Sequence, residues 1–472
     1  MIDTCENVKQ MQEINMAAKI NLSEITITEL SKIIKNKTFS IKEIVSQYLE
    51  QIDSFDKGFN GLNSILEINS DIITIAEELD ERNKDDSGLL YGVPILLKDN
   101  INTADSLHTS AGSLALADSS PETDAEIVEI LRKKGAVILG KTNMTEFANY
   151  MTKGMPNGYS SKGGIVKSPY VLGENPAGSS TGSGVAVAAN LCTAALGTDT
   201  SGSIISPGLK NGIVGYRPGK GTLSIKGIIP ISFSLDMVGP MTRTVKDAII
   251  IFNEISANKI HFTEKTNLKG TVIGIDQSVI DNMSQEEEKK ANGVLNKLKD
   301  AGAILKRIRL KTIPNKKIDN IKKYEFKHAM NQYLAELPLD YKIKNLKEII
   351  EFNNIHKEET LRYGQILLED AQNNTSGEMT ESIYLDTLKD IEFTKLYMKD
   401  QLKDVNVCIV FKDHPIVQYT GLPAITVPCG LYNDGMPFGI NIIAQTDEEL
   451  LNTAYAIEQI AGRRVNPKFI GY

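Results

Sequence analysis

The chain has 472 residues, 41% of them hydrophobic, and its 52 basic and 60 acidic residues give a net charge of −8. This balance argues against nucleic acid as the main partner, because phosphate binding relies on clustered Lys and Arg. The cysteines are Cys5, Cys192, Cys408 and Cys429. They form no CxxC pair, which argues against a metal site or a disulfide framework and favours reduced thiols in a cytosolic protein.

Residues 1–20 are polar and mixed, and they predict a helix or an ordered tail. They lack the apolar region of a secretory signal, and no stretch of the sequence approaches the ~20 apolar residues of a membrane span. We therefore expect a cytoplasmic protein with no membrane partner.

Helical patterns follow this N-terminal stretch. From Ser23 the apolar residues recur with the period of a helix. Ser40 and Glu43 form a capping-box pattern at the start of a helix that we predict over 41–55. Residues 62–83 predict a strand followed by a helix.

The next part of the chain alternates between strand and helix patterns. Residues 89–97 predict an apolar strand that ends at Lys98. Residues 123–134 form an amphipathic helix pattern that Gly135 ends, and residues 136–139 predict a short buried strand. Such alternation is typical of an α/β fold with a parallel or mixed sheet.

Residues 135–142 fit the phosphate-loop pattern GxxxxGK[ST]. A phosphate loop follows a strand and offers free backbone N–H groups. Here the four central residues are AVIL, which predict the strand itself, so we do not expect nucleotide binding.

Residues 276–400 are charged and mostly helical by pattern. We interpret them as a helical insertion that covers the substrate side of the core rather than as a separate domain. Strand patterns return over 405–410 and 424–428, and a closing helix is predicted over 447–460. We divide the chain into an N-terminal helical segment, 1–75, and a main domain, 76–472.

Two Ser/Gly clusters, residues 178–184 and 200–203, lie in the middle of the chain. Such clusters are usually loops or linkers, but here a buried helix over 184–191 and a strand over 193–196 are predicted between them. Each cluster therefore lies at the end of a buried element. Glycines there allow sharp turns, and serines supply hydroxyls for catalysis.

Lys98 is a candidate base for a serine nucleophile. Burial lowers the pKa of a lysine by up to roughly 3–5 units, so that it can act as a general base near working pH. A Ser–Lys pair is a known variant of the catalytic triad. The N–H groups of residues 200–203, which precede a predicted helix start, are suited to hold the oxyanion of a tetrahedral intermediate.

The chain resembles the amidase signature family over about residues 23–469. The resemblance rests on several long motifs in the order that the family has them. These are YGVPILLKDN, TSAGS, GAVILGKTNMTEFAN, GSSTGSGVAVAANLCTAALGTDTSGSIISP, GIIPISFSLDMVGPMTRTVKDA, GLPAITVPCG and GMPFGINIIA. The resemblance implies an α/β fold in which a mixed sheet is sandwiched between helices, after an N-terminal helical segment.

The family resemblance also implies roles for single residues. Ser203 resembles the family's nucleophile, Ser179 the bridging serine that follows a cis peptide bond, and Lys98 the base. The two serines are 24 positions apart, which matches the family's spacing. Asp199 resembles the aspartate that orients the oxyanion loop.

Further residues are candidates for supporting the triad, lining the substrate pocket or binding the oxyanion. Ser180 is expected to support the triad, and Asn149 and His108 are candidates for the substrate pocket. The predicted oxyanion donors are the N–H groups of Thr200, Ser201, Gly202 and Ser203.

Two positions depart from the family pattern. Ile205 stands where an arginine is common, and Ser201 stands where a glycine is usual. With ISFSLDMVGP and AVAANL, these departures resemble the peptide amidase branch, which removes C-terminal amides from peptides. The implied activity is hydrolysis of the C–N bond of a small-molecule or peptide amide through an acyl-enzyme, with no metal and no cofactor.

Two alternatives stay open. The first is the A subunit of a tRNA-dependent amidotransferase, which uses the same chemistry to supply ammonia to a partner subunit. The second is a non-catalytic binding protein on an amidase scaffold, which the changes at Ser201 and Ile205 suggest. The sequence leaves the substrate and the oligomeric state open.

Overall fold

The computed structural model describes residues 19–58, 60–82 and 88–468, and these contain thirteen strands, of which eleven form one central sheet. The strands are β1 (Ile65–Ile68), β2 (Pro94–Lys98), β3 (Val137–Thr142), β4 (Tyr159–Ser160), β5 (Gly164–Ile165), β6 (Ala194–Asp199), β7 (Val214–Arg217), β8 (Met237–Thr242), β9 (Val272–Asp276), β10 (Ile304–Ile308), β11 (Val407–Ile409), β12 (Ala424–Leu431) and β13 (Pro437–Ile443). Strands β4 and β5 pair with each other in a separate hairpin.

The order of strands across the central sheet is β1-β3-β2-β6-β8-β7-β12-β13-β11-β9-β10. Strand β2 runs parallel to both of its neighbours, β3 and β6, whereas β8 runs antiparallel to β6. The carboxyl ends of parallel strands meet at the same edge of a sheet. Lys98, the last residue of β2, and Asp199, the last residue of β6, therefore lie at one edge.

Helices flank this sheet, so the α/β fold that the sequence predicts is confirmed. The helices are α1 (Ile27–Lys35), α2 (Ile41–Ile52), α3 (Ile72–Glu81), α4 (Glu126–Lys133), α5 (Thr181–Ala188), α6 (Ile205–Lys210), α7 (Val245–Ile255), α8 (Gln277–Ile280), α9 (Gln285–Asp300), α10 (Asn315–Ala335), α11 (Leu346–Ile355), α12 (Lys357–Thr360), α13 (Ile366–Asn373), α14 (Ser382–Gln401), α15 (Pro415–Thr420) and α16 (Asp447–Ala461). Within the described ranges, no helix has the length and apolar character that crossing a membrane requires.

Local signals in the sequence set several helix ends. The Glu43 N–H donates to Ser40 Oγ at 3.1 Å and the Ser40 N–H donates to Glu43 Oε2 at 2.7 Å, which confirms the capping box of α2. Helix α2 ends at Ile52 rather than at the predicted residue 55, because the backbone widens into a π-helix over Asp53–Lys57. Helix α4 is shorter than the predicted span 123–134.

The helix at the first Ser/Gly cluster also differs from its predicted bounds. Helix α5 begins at Thr181, three residues before the predicted start, and ends at Ala188. Residues 137–142 form strand β3, buried along its whole length, which confirms that they are not a phosphate loop.

The N-terminal part of the chain contributes a strand as well as helices. Strand β1 pairs antiparallel with β3 at one edge of the central sheet, and the predicted boundary at residue 75 falls within α3. Residues 1–18, for which a helix or an ordered tail is predicted, lie outside the described residues, as does Cys5. The division into segments 1–75 and 76–472 stays a prediction.

The charged region 276–400 is less purely helical than its pattern suggests. Strand β10 lies within it and extends the sheet by pairing parallel to β9. The remainder, from α10 onward, packs against loops and helices near the carboxyl ends of β2 and β6. Phe326 of α10 contacts Tyr150, with ring centroids 4.6 Å apart, and Ile321 of α10 lies in one apolar cluster with Ile205.

The cysteines of the described residues are unpaired. Cys192 and Cys408 are buried and Cys429 is half-buried, and all three are free thiols.

Candidate active site

Lys98 and Ser179 are in direct contact at the end of strand β2. The Nζ atom of Lys98 lies 2.8 Å from Ser179 Oγ, and neither side chain is accessible to solvent. Lys98 Nζ also contacts Thr198, at 2.8 Å from its hydroxyl and 3.2 Å from its carbonyl oxygen. The lysine that the sequence places at a strand end is thus fixed by three oxygen atoms.

The environment of Lys98 lowers its pKa to about 7. Burial is the main cause because it disfavours the charged ammonium, and the negative charges of Asp199 and Asp236 act in the opposite direction. A substantial fraction of Lys98 is therefore neutral near pH 7, and a neutral amine can accept a proton.

Hydrogen bonds hold Ser179 and the residue after it in place. The peptide bond between Gly178 and Ser179 is cis. The Ser179 carbonyl accepts a hydrogen bond from the N–H of Thr145 at 3.1 Å. The Ser180 N–H donates to the carbonyl of Ser203 at 3.2 Å, and the Ser180 hydroxyl donates to the carbonyl of Thr198 at 2.9 Å. Ser180 therefore links the two Ser/Gly clusters.

Ser203 lies on the short loop between β6 and α6, next to the contact of Lys98 with Ser179. The residue is 6% exposed. Its carbonyl binds Ser180, so its backbone is anchored. Within the described residues, the hydroxyl of Ser179 is hydrogen-bonded to Lys98 and not to Ser203. The structure thus brings the three residues together, with the Ser203 hydroxyl outside the contact of the other two.

Asp199 fixes the loop that carries Ser203. Its carboxylate accepts hydrogen bonds from the N–H of Gly202 at 3.0 Å and from the N–H of Ile204 at 2.7 Å. Arg217 lies 3.2 Å away in a fully buried ion pair. Sequence reasoning missed Arg217, because it follows Asp199 by 18 positions on another strand and no motif singles it out.

Gly202 is required by the shape of this loop. Its φ is +95°, in the left-handed region that favours glycine, and a Cβ atom would lie 1.9 Å from Asp413 Oδ2. The sequence predicts the Gly202 N–H as an oxyanion donor. This prediction is wrong, because that N–H donates to Asp199 and is not free. The N–H groups of Thr200, Ser201 and Ser203 form no hydrogen bond within the described part of the chain.

The apolar surroundings of Ile205 explain why this position departs from the family pattern, in which an arginine is common. Its side chain is fully buried in an apolar cluster that includes Leu235 and Ile416. An arginine would not fit these surroundings. Ser201 is exposed, so its side chain points away from the packed loop.

The two predicted pocket residues lie in different places. Asn149 is exposed and belongs to a turn in which Phe147, Ala148 and Asn149 all have positive φ. Ala148 lines a cavity of about 40 Å³ beside Thr198 and Thr200. The ring of His108 instead bonds Glu67 of the edge strand β1 at 2.8 Å, so we do not include His108 in the site.

A second cavity, of about 260 Å³, opens beside the exposed Ser201. It is lined by Ser201, Asn315, Ile318, Asp319, Lys322, Asp413, Pro415 and Gln418. These residues come from the oxyanion loop, α10 and the start of α15, which brings the helical region into the surroundings of the site. Within the described residues, no group of three His, Cys, Asp or Glu side chains is arranged to hold a metal ion.

Known proteins match this chain over most of its length. The family model for amidases matches residues 43–410. A relative from Arabidopsis thaliana that bears the name "Probable amidase" is 32% identical over 505 residues, which cover 98% of this chain and 95% of the relative. The glutamyl-tRNA(Gln) amidotransferase of Pediococcus pentosaceus has an A subunit that is 31% identical over 482 residues, which cover 93% of this chain and 96% of the relative.

A solved structure shares the fold over almost the whole chain. The native peptide amidase from Stenotrophomonas maltophilia has a TM-score of 0.86 and 32% sequence identity, and the match covers 95% of this chain and 99% of that protein. The chain therefore belongs to the amidase signature family and is a hydrolase that acts on the C–N bond of amides.

Proposed function

We propose that this protein hydrolyses a carboxamide through an acyl-enzyme, with Ser203 as nucleophile, Ser179 as proton relay and Lys98 as base. The observation that carries the proposal is the buried 2.8 Å contact between Lys98 Nζ and Ser179 Oγ. A lysine whose pKa is lowered to about 7 by burial takes up a proton readily at working pH.

The first half-reaction forms a bond from Ser203 Oγ to the carbonyl carbon of the amide. The proton of Ser203 passes to Ser179, whose own proton passes to Lys98. This transfer requires the Ser203 hydroxyl to turn toward Ser179, and such contacts commonly tighten when substrate binds. The electron pair of the C=O bond moves onto oxygen, where the free N–H groups of Thr200 and Ser201 are suited to stabilise it.

The second half of the reaction restores the enzyme. When the tetrahedral intermediate collapses, the C–N bond breaks and the proton held by Lys98 returns through Ser179 to the leaving nitrogen, which departs as ammonia or an amine. Water then attacks the acyl carbon and gives a proton to the same relay, and the bond to Ser203 breaks as the relay returns that proton to Ser203 Oγ. No step requires a metal or a cofactor.

A C-terminally amidated peptide is our preferred substrate class. The support is the 32% identity to a peptide amidase over 99% of its length, together with the residues ISFSLDMVGP. The 260 Å³ cavity beside Ser201 leaves room for groups next to the scissile amide. The free cysteines of the described residues support a reducing compartment, and we propose the cytoplasm.

The second candidate is the ammonia-supplying component, or A subunit, of a tRNA-dependent amidotransferase. The 31% identity to such a protein over 96% of its length favours it. In that case the protein would be inactive on simple amides and would co-purify with a B-type subunit. Tight binding of an amide without turnover or covalent labelling would instead support a non-catalytic binding protein.

The test is ammonia release by the purified protein from a small aliphatic amide, an aryl amide, amino-acid amides and a C-terminally amidated peptide. Release from the peptide amide that Ser203→Ala abolishes would establish both the reaction and the substrate class. Release from small amides alone would keep the mechanism and reject the peptide assignment. Activity retained in a folded Ser203→Ala variant would reject the mechanism.

A further inference from the structure

Asp236 holds Thr200, the first residue of the oxyanion loop, whereas Asp199 holds Gly202 and Ile204 further along. The Thr200 hydroxyl donates to Asp236 Oδ1 at 2.6 Å. The other carboxylate oxygen, Oδ2, accepts from the N–H groups of Ile231 at 2.8 Å and Ser232 at 2.9 Å. Asp236 is 7% exposed and comes from a loop 36 positions after Thr200.

The loop that carries Asp236 is itself anchored to the helical region. Glu325 of α10 accepts hydrogen bonds from the hydroxyls of Ser232 and Ser234, and from the Ser234 N–H at 3.0 Å. The hydroxyl of Tyr384 on α14 donates to the same carboxylate at 2.8 Å. Asp236 is therefore held in place independently of Thr200, so it can impose a position on the oxyanion loop.

We propose that Asp236 is a positioning residue for amide hydrolysis, which fixes the start of the oxyanion loop through the Thr200 hydroxyl while Asp199 fixes its end. The inference rests on the proposed function and assigns a role that the relay of Lys98, Ser179 and Ser203 does not include. The N–H groups that face the oxyanion lie between these two carboxylates. A shift of about 1 Å in such a group costs up to about 100-fold in rate.

Asp236 also acts on the base through its charge. The charged groups that influence Lys98 are Asp199 and Asp236, and both raise its pKa against the effect of burial. Burial raises the pKa of the Asp236 carboxyl, and the positive charge of Lys220, whose Nζ donates to the backbone carbonyl of Asp236 at 2.8 Å, acts in the opposite direction. Neutralising Asp236 is therefore expected to lower the pKa of Lys98, so that the base becomes active at lower pH.

The test measures the rate at which a fluorophosphonate probe labels Ser203, as a function of pH, by intact mass. This reaction forms a bond from Ser203 Oγ to phosphorus and expels fluoride, so it needs no knowledge of the natural amide. The variants are Asp236→Asn, Thr200→Val and Thr200→Ser. Asp56→Asn is the matched control, because Asp56 likewise accepts from one hydroxyl and two backbone N–H groups, of Ser64 and Ile65.

We expect the probe to label Thr200→Val about 10- to 100-fold more slowly than wild type. The acid limb, which is the fall of the labelling rate at low pH, should stay at the same pH. Thr200→Ser should be labelled at the wild-type rate. We expect Asp236→Asn to move the acid limb to lower pH, and Asp56→Asn to leave it in place. Labelling of Thr200→Val at the wild-type rate would overturn the inference, whereas an acid limb that does not move in Asp236→Asn would reject only the effect of the Asp236 charge on Lys98. If Thr200→Val does not fold, Thr200→Ala, which also lacks the hydroxyl, takes its place in the comparison with Thr200→Ser. A wild-type protein that is not labelled at Ser203 would reject the proposed function itself.

Discussion

The Nζ atom of Lys98 and the hydroxyl of Ser179 lie 2.8 Å apart at a point where solvent reaches neither side chain. A buried ammonium without a carboxylate in contact is unfavourable, which is why the pKa of Lys98 falls to about 7. The same contact gives the neutral amine a hydroxyl proton to accept. In the proposed mechanism, the burial that lowers the pKa of Lys98 and the proton transfer that it performs therefore both depend on this contact.

The pH dependence of the reaction follows from Lys98. Below its pKa of about 7 the amine is protonated and cannot accept a proton, so kcat/KM should fall about tenfold for each pH unit below 7. Lys98→Met should lose about 10²- to 10⁴-fold in kcat. Both are measured by ammonia release between pH 5 and 9.

Lys141 offers a matched control for the lysine prediction. It is equally buried, on the neighbouring strand β3, but its Nζ bonds the carbonyl of Ile101 and the hydroxyl of Thr109 rather than a serine of the triad. Lys141→Met should lower the Tm without moving the acid limb of kcat/KM. An acid limb that survives in Lys98→Met would show that another group is the base.

Ser203 should be the residue that carries the acyl group. Ser203→Ala should lower kcat on the order of 10⁴-fold or more with little change in Tm, and mass spectrometry should detect no acyl-enzyme. Ser206→Ala is the control, because Ser206 lies on the first turn of α6, three positions away. Equal losses in the two variants would mean that the loop, rather than the Ser203 hydroxyl, is being disturbed.

The positions of two residues of the proposed triad follow strong local patterns in the sequence. Lys98 ends an apolar run that becomes β2, and Ser203 follows an apolar run that becomes β6, so the alternation of strand and helix already places both at one edge of the sheet. The family motifs then assign Ser179.

The groups that support the triad could not be predicted in the same way. Arg217 pairs with Asp199 and Asp236 pairs with Thr200 across 18 and 36 positions of sequence, and such long-range contacts leave no local signal. The hydrogen bond from the Gly202 N–H to Asp199 depends on the backbone conformation of a single turn. For that reason the sequence predicts one oxyanion donor that the folded loop does not leave free.

The burial of Ile205 leads us to predict that a charged residue at this position lowers the stability of the protein. Ile205→Arg would place a charge in a cluster with Leu235 and Ile416, where it has no partner, because Asp199 is already paired with Arg217. The free energy of unfolding should fall on the order of 4 kcal/mol. Ile205→Val, the control, should cost about 1 kcal/mol. Urea unfolding of the two variants measures the difference, and equal stabilities would mean that the arginine finds a carboxylate such as Asp413.

The raised pKa of Glu146 leads us to predict how the stability of the protein changes with pH. It is fully buried next to the left-handed turn at Phe147, and burial raises its pKa to about 7, although the Ser161 N–H and hydroxyl favour the charged form. Between about pH 4.5 and 7 the folded protein keeps a proton on Glu146 that the unfolded chain releases. The free energy of unfolding should therefore fall as pH rises through this window, by up to about 1.4 kcal/mol per pH unit, and then level off above about pH 7.

Glu146→Gln should remove this slope. The glutamine retains an oxygen for the Ser161 N–H, at the position where Glu146 now accepts at 2.8 Å, and its amide can donate to the Ser161 hydroxyl. Urea unfolding from about pH 4.5 to 8 should give a variant that gains stability relative to wild type as pH rises. Glu122→Gln, at an exposed carboxylate, should stay parallel to wild type. A constant difference between Glu146→Gln and wild type across this range would mean that Glu146 is ionised throughout, and that its two bonds to Ser161 outweigh burial.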